Sequence, residues 1–168
     1  MATRHTSPRT AAADAISAQA FREFLRTYGL LERLMQPYFA KFGISGSGWG
    51  VLRNLHRAEQ EGQNGLRLSD LSERMLIRPP SVTGVVDRLE RDGLVARRAD
   101  PADQRAKRVG LTRAGRQLIQ QVLVGHKRKI ESIMAGLSAR EQSELHDLLV
   151  RLRGHLENFP HGPILGPG

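Results

Sequence analysis

Arg97, Arg98, Arg105, Lys107, Arg108, Arg113 and Arg116 fall within twenty residues that contain only two acids, Asp100 and Asp103. Cations at that density bind polyanions. Most are Arg, whose planar fork of donors matches phosphate oxygens and guanine edges better than the Lys ammonium does. The wider segment Arg67–Arg116 holds 12 basic and 7 acidic residues, more than half of the chain's formal charge of +9. A scattered excess would read as a solvated basic face; a clustered one favours nucleic acid.

Other chemistries find less support. With no Cys, the chain can form no disulfide, thiolate metal site, iron–sulfur cluster or thiol nucleophile. His5, His56, His126, His146, His155 and His161 have no partner at metal-ligand helical spacing, and no Ser/His/Asp arrangement is present. The reading is therefore of a non-enzyme with no metal and no cofactor. The run GISGSGWG at Gly43–Gly50 contains Gly46-x-Gly48, part of a dinucleotide loop, but that loop needs a preceding strand and a βαβ unit. A helix pattern precedes it here, so it reads as a helix–helix turn.

The length, 168 residues, suits one domain or a compact domain with an appended helical region. The 39% hydrophobic and 26% charged content is that of an ordinary globular protein. No apolar run approaches the roughly 18 residues of a membrane span. Asp14, Ser17 and Gln19 interrupt Ala11–Ala20, so no secretory core follows Arg4 and Arg9. An intracellular, cytoplasmic protein with no membrane partner is expected.

The basic cluster needs elements to position it. Residues 1–12 read as a flexible tail, and Asp14 as the N-cap of a first helix. Phe21, Phe24, Leu25, Tyr28, Leu31, Met35, Tyr38, Phe39 and Phe42 step by three and four along that helix. Pro37 should kink or end it. Ser45 or Ser47 can cap a second helix from Trp49 to about Ala58, buried along Trp49, Leu52 and Leu55. Ser69 reads as the cap of a short third helix that must stop near Ile77, because Pro79-Pro80 disfavours helical geometry before each proline. Proline suits the first turn of a new helix, so a fourth is expected from about Pro80 to Asp92, with Gly93 as C-cap. Val82, Val85, Val86 and Leu89 form its inner face; Ser81, Thr83, Gly84, Asp87, Arg88 and Arg91 face out. Leu94–Arg98 and Lys107–Leu111 then flank a turn-forming ADPADQRA, which predicts a β-hairpin with a long basic tip. Thr112 can cap the next helix, and Ser138 to Glu141 forms a capping box for the last, with Leu145, Leu148, Leu149, Leu152 and Leu156 along it. Two helices followed by a basic hairpin make a winged helix-turn-helix.

These residues resemble the MarR family of winged-helix transcriptional regulators. The resemblance runs from about Phe21 to Leu156. It is carried by LSDLSERMLIRPPSVTGVVDRLERDGLVARR (Leu68–Arg98), DPADQRAKRVGLTRAGRQL (Asp100–Leu118) and LSAREQSELHDLLVRL (Leu137–Leu152). It implies a mainly α fold with a small β-hairpin wing: a winged helix-turn-helix domain at 45–111, a helical dimerisation region at 13–44 and 112–158, and flexible tails at 1–12 and 159–168. It also implies a homodimer on a palindromic site in double-stranded DNA, most often as a repressor, in a bacterial cytoplasm and at the nucleoid when bound. Asp103 and Arg105 match the wing-tip Asp-x-Arg whose Arg enters the minor groove. Thr83 matches a polar recognition-helix position, with Ser81 beside it, and Arg88 a basic position near phosphates or the wing base. Arg78, Arg97 and Lys107 complete the expected DNA-binding set. Gly84 departs from relatives that carry Arg there. Many relatives bind a small aromatic or phenolic effector; Tyr28, Tyr38, Trp49 and His56 either line such a pocket or are core aromatics and an edge His. The competing reading is a nonspecific architectural DNA-binding protein or a winged-helix protein-interaction module.

Overall fold

The computed structural model describes residues 8–76, 79–100 and 103–159, with the backbone alone at 8–14 and 104–105. Its elements are α1 (Pro8–Ala40), α2 (Gly46–Gln60), β1 (Leu66–Arg67), α3 (Leu68–Met75), α4 (Pro79–Arg91), β2 (Val95–Asp100), β3 (Asp103–Leu111), α5 (Arg113–Met134) and α6 (Ala139–Glu157). The fold is mainly helical with one small antiparallel sheet, as the sequence predicts. It divides into two compact units, Met1–Val122 and Leu123–Gly168. Among the described residues no helix is long and apolar enough to cross a membrane.

In the first unit the core forms where α2, α3 and α4 turn their apolar stripes onto the sheet. Leu52, Leu55, Leu71, Val82 and Val86 are fully buried, together with Val109 from β3. Val85, expected on the inner face of α4, is only half-buried. The sheet has the order β1-β3-β2. Leu66 pairs with Val109 in one ladder; Val95 pairs with Leu111 in the other, which continues to Asp100 and Asp103 across an irregularity at Ala99/Asp100.

The boundaries differ from expectation in several places. Helix α1 begins at Pro8 rather than at Asp14, so residues 8–12, read as tail, are helical; a proline in the first turn forfeits only an amide that would have no helical partner. Pro37 lies inside α1, which ends only at Ala40. Helix α2 starts at Gly46, because the Ser45 hydroxyl accepts from the Gly48 N–H at 3.0 Å. Helix α3 is capped at Arg67, not Ser69: the Arg67 N–H donates to Asp70 Oδ2 at 3.0 Å, and Ser69 lies within the helix. The hairpin strands run longer than expected, so Asp100, Asp103 and Arg105 belong to strands and not to a long tip. The α3–α4 break falls where Pro79 predicts it, with Leu76 in the left-handed region at φ 53°.

Helix α5 is capped by Thr112, whose hydroxyl accepts from the Gly115 N–H and donates to the Gly93 carbonyl at 2.7 Å. In the second unit, α6 opens with the expected capping box: Ser138 Oγ accepts from the Glu141 N–H, and the Ser138 N–H donates back to Glu141 Oε2 at 2.8 Å. The Ser138 hydroxyl also donates to Glu141 Oε2 at 2.7 Å, and this bond, aided by the one from the Ser138 N–H, holds the Glu141 carboxyl below its ordinary pKa. No residue of α6 is buried within the chain.

Candidate nucleic-acid interface

Helix α4 and the β2–β3 hairpin carry most of the residues expected to meet DNA. Burial of Val82, Val86 and Leu89 fixes the rotation of α4, which leaves Ser81, Gly84, Asp87, Arg88 and Arg91 exposed. Thr83 is half-buried, and its hydroxyl donates to the Pro79 carbonyl at 3.1 Å. A Cβ built on Gly84 meets nothing within 4 Å, so a bare strip of backbone faces solvent in mid-helix. Arg88 is exposed and has no ion pair among the described residues.

The hairpin is tied to α4 by Arg97. Its Nη2 lies 2.6 Å from Asp87 Oδ1, its Nη1 bonds Glu90 Oε2, and its main-chain N–H donates to Glu90 Oε1 at 3.0 Å. Burial would lower the Arg97 pKa, but its bonds to Asp87 and Glu90 outweigh that and raise it. Arg97, one of the residues expected to bind DNA, thus points back at the helix. Arg98, Asp103 and Lys107 are exposed on the hairpin. Arg105 lies in β3 and its side chain falls outside the described residues, as does the whole of Arg78.

Behind the hairpin sits an arrangement the sequence reading missed. The Asp100 carboxylate is fully buried, with Arg67 Nε at 2.7 Å and Arg108 Nε at 2.9 Å from Oδ2. Arg67 makes a hydrogen bond that raises its own pKa. Arg108 Nε is in charge contact but poorly aligned, while its Nη1 donates to the Gly65 carbonyl at 3.3 Å. By sequence Asp100 is only a turn former, next to Pro101. Its partners lie on β1 and β3, and only the strand register in the fold reveals them.

Of the four aromatic and histidine candidates for an effector pocket, Tyr38 and Trp49 share a neighbour, since both rings pack on Phe39. The Tyr28 hydroxyl donates to Glu32 at 3.0 Å on the exposed side of α1. That of Tyr38 donates to the Val122 carbonyl. Trp49 is buried and stacked on Phe39 at 5.7 Å, and His56 sits beside Gln60 on α2. A groove of about 1050 Å³ runs between α1 and the α1–α2 turn, and Arg33, Gln36, Phe39, Ile44, Ser47 and Arg88 are among the residues lining it. None of the four lines it, because three have side chains engaged elsewhere and His56 lies further along α2.

Comparison with known proteins agrees with this geometry. Residues 47–107 match the model of the MarR family. The HTH-type transcriptional repressor YetL of Bacillus subtilis (strain 168) is 31% identical over 143 residues, which cover 85% of this chain and 81% of that protein. The structure describing regulation of DNA binding of Bordetella bronchiseptica BpsR by 6-hydroxynicotinic acid superposes with a TM-score of 0.70 at 26% identity, covering 80% of this chain and 98% of that one. The S. aureus MepR–DNA complex superposes with a TM-score of 0.70 at 22% identity over 79% and 93% of the two chains, a likeness of fold. The chain belongs to the MarR family and is a winged helix-turn-helix transcriptional regulator that binds DNA.

Proposed function

We propose that the protein is a homodimeric repressor that grips a palindromic operator, one winged lobe to each half-site. The observation that carries this reading is the way α4 presents itself: buried valines on one side, and on the other Ser81, Gly84 and Arg88 standing free beside a basic hairpin. A helix with short outward side chains fits the major groove closely, and a narrow minor groove attracts a protruding Arg. In this reading Ser81 and Thr83 face base edges, Arg78, Arg88 and Lys107 meet phosphates, and Arg105 enters the minor groove with Asp103 orienting it. Arg97 acts by bracing. The exposed leucines of α6 support a dimer, since an isolated chain would leave that apolar stripe in water.

An effector is proposed for the groove beside α1, with an apolar body against Phe39 and Ile44 and an acidic group toward Arg88. Regulation of BpsR by 6-hydroxynicotinic acid supports an effector of that chemistry. It would release DNA only through unequal affinity for the DNA-bound and free arrangements. The protein acts in the cytoplasm, at the nucleoid when bound.

Selection of binding sites from random duplex DNA tests the proposal. The expected result is a discrete two-fold symmetric consensus with half-sites about 34–36 Å apart. Affinity should fall with salt at a log–log slope of about −0.9 per neutralised phosphate, and Arg105→Ala should abolish the preference for that consensus. Uniform retention of any duplex would overturn sequence-specific binding.

A further inference from the structure

Among the described residues Asp100 is the only buried carboxylate, and it lies where three strands meet. Arg67 reaches it from β1 and Arg108 from β3, with Asp100 itself ending β2. The irregularity at Ala99/Asp100 and the pairing of Asp100 with Asp103 put this carboxylate at the turn end of the hairpin, close in sequence to Arg105 on β3. Arg67 also opens α3 through its N–H bond to Asp70, so the contact links the helix-turn-helix to the wing.

A buried ion pair is a poor way to gain stability, because desolvation offsets most of the attraction and packed apolar residues would serve as well. What it supplies is direction: charge and hydrogen-bond geometry fix where the strands stand. It also withholds charge. The Arg67 and Arg108 side chains remain 39% and 29% exposed, so each still reaches solvent beside or on the basic hairpin while the buried Asp100 carboxylate engages its Nε.

We propose that Asp100 is a positioning residue that sets sequence discrimination. It fixes the turn end of the hairpin against β1, and it keeps Arg67 and Arg108 from contributing fully to indiscriminate phosphate binding. The proposal rests on the wing–DNA reading above and adds to it a residue that need never touch DNA.

The test uses the full chain, its selected operator and a scrambled duplex of equal length and composition. Asp100→Asn keeps the shape and removes the charge. Operator affinity should weaken about tenfold, while affinity for the scrambled duplex rises two- to fivefold and its salt slope steepens by about one unit. A parallel loss on both duplexes with an unchanged slope would mean a merely structural role and overturn the proposal. So would wild-type behaviour on both.

Should Asp100→Asn fail to fold, Arg67→Gln serves, because Asp100 and Arg108 then remain charge-matched. It should weaken operator binding with no gain on the scrambled duplex and no steeper slope; wild-type operator affinity would overturn the proposal. Arg105→Ala reads the wing contact separately. If it leaves the operator preference intact while Asp100→Asn removes it, the minor-groove contact is wrong and the role of Asp100 stands. If the reverse holds, only the role of Asp100 falls.

Discussion

Arg97 on β2 places its Nη2 2.6 Å from Oδ1 of Asp87 on α4, and so joins the wing to the recognition helix through one side chain. Glu90 takes the other guanidinium nitrogen and the Arg97 main-chain N–H. Three bonds from one residue fix the angle between two elements that the proposed reading sends into DNA together. A guanidinium held by two carboxylates has little charge left for phosphate.

Arg97→Ala is therefore expected to weaken operator binding without changing its salt slope, since no phosphate contact is lost. It should also destabilise the fold by about 1–2 kcal/mol, because two carboxylates lose their partner. Arg97→Lys should rescue little: a single ammonium cannot bridge both acids with the geometry of the planar fork. Titrations across a salt series, with thermal unfolding alongside, measure all three. A slope shallower by about one unit would return Arg97 to the phosphate contacts.

Thr83 directs its hydroxyl proton to the Pro79 carbonyl, which leaves its methyl group and lone pairs for other partners. Thr83→Val should keep operator affinity within about threefold, a change of under about 1 kcal/mol. Thr83→Ser, which deletes the methyl, should lose about 1 kcal/mol, the scale of one buried apolar carbon against a thymine methyl. Replacing operator thymines by deoxyuridine should reproduce the Ser result at one position. Loss with Val and retention with Ser would assign the reading to the hydroxyl.

Two glycines are expected to behave oppositely. Nothing obstructs a Cβ at Gly84, so Gly84→Ala should stabilise the helix by about 0.5–1 kcal/mol through backbone entropy. The same methyl would stand between α4 and the groove floor, so operator affinity should fall as stability rises. At Gly115 a Cβ would lie 2.1 Å from the Leu94 carbonyl oxygen, and neither backbone has a flexible end to move. Gly115→Ala should cost several kcal/mol, on the order of an overpacked core site. Unfolding curves for the two variants check the signs.

Much of this architecture was legible because its signals are local. Ser138 and Glu141 form a cap from residues three apart, and Pro79 breaks a helix by its own ring. The valines of α4 announce their buried face by period. What the sequence concealed is the pairing of distant elements. Strand β1 has two residues and no period to read. Asp100 looked like a turn residue because Arg67, its partner, is 33 positions away. Arg97 falls in the expected DNA-binding set because its partners, Asp87 and Glu90, sit on another element. Tyr28, Tyr38, Trp49 and His56 were candidates by chemistry alone, whereas the groove is defined by where α1 passes the α1–α2 turn.

Helix α6, like α1, exposes a large apolar stripe in the single chain. Leu145, Leu148, Leu149, Leu152 and Leu156 recur at spacings of three and four, and every one is exposed in the single chain, Leu149 at 41% and Leu152 at 44%. Such a stripe needs cover, and a second copy of the same helix offers a matching one. Leu149→Asp with Leu152→Asp would set carboxylates where the reading places a dry seam, at several kcal/mol for each buried unpaired charge. The expected outcome is a folded monomer by light scattering, with helical content retained and operator binding lost. The two losses must coincide, because one lobe reaches one half-site and forfeits the second set of contacts. A monomer that still held the full operator with wild-type affinity would break that coupling, and a dimer that survived both carboxylates would move the interface off α6.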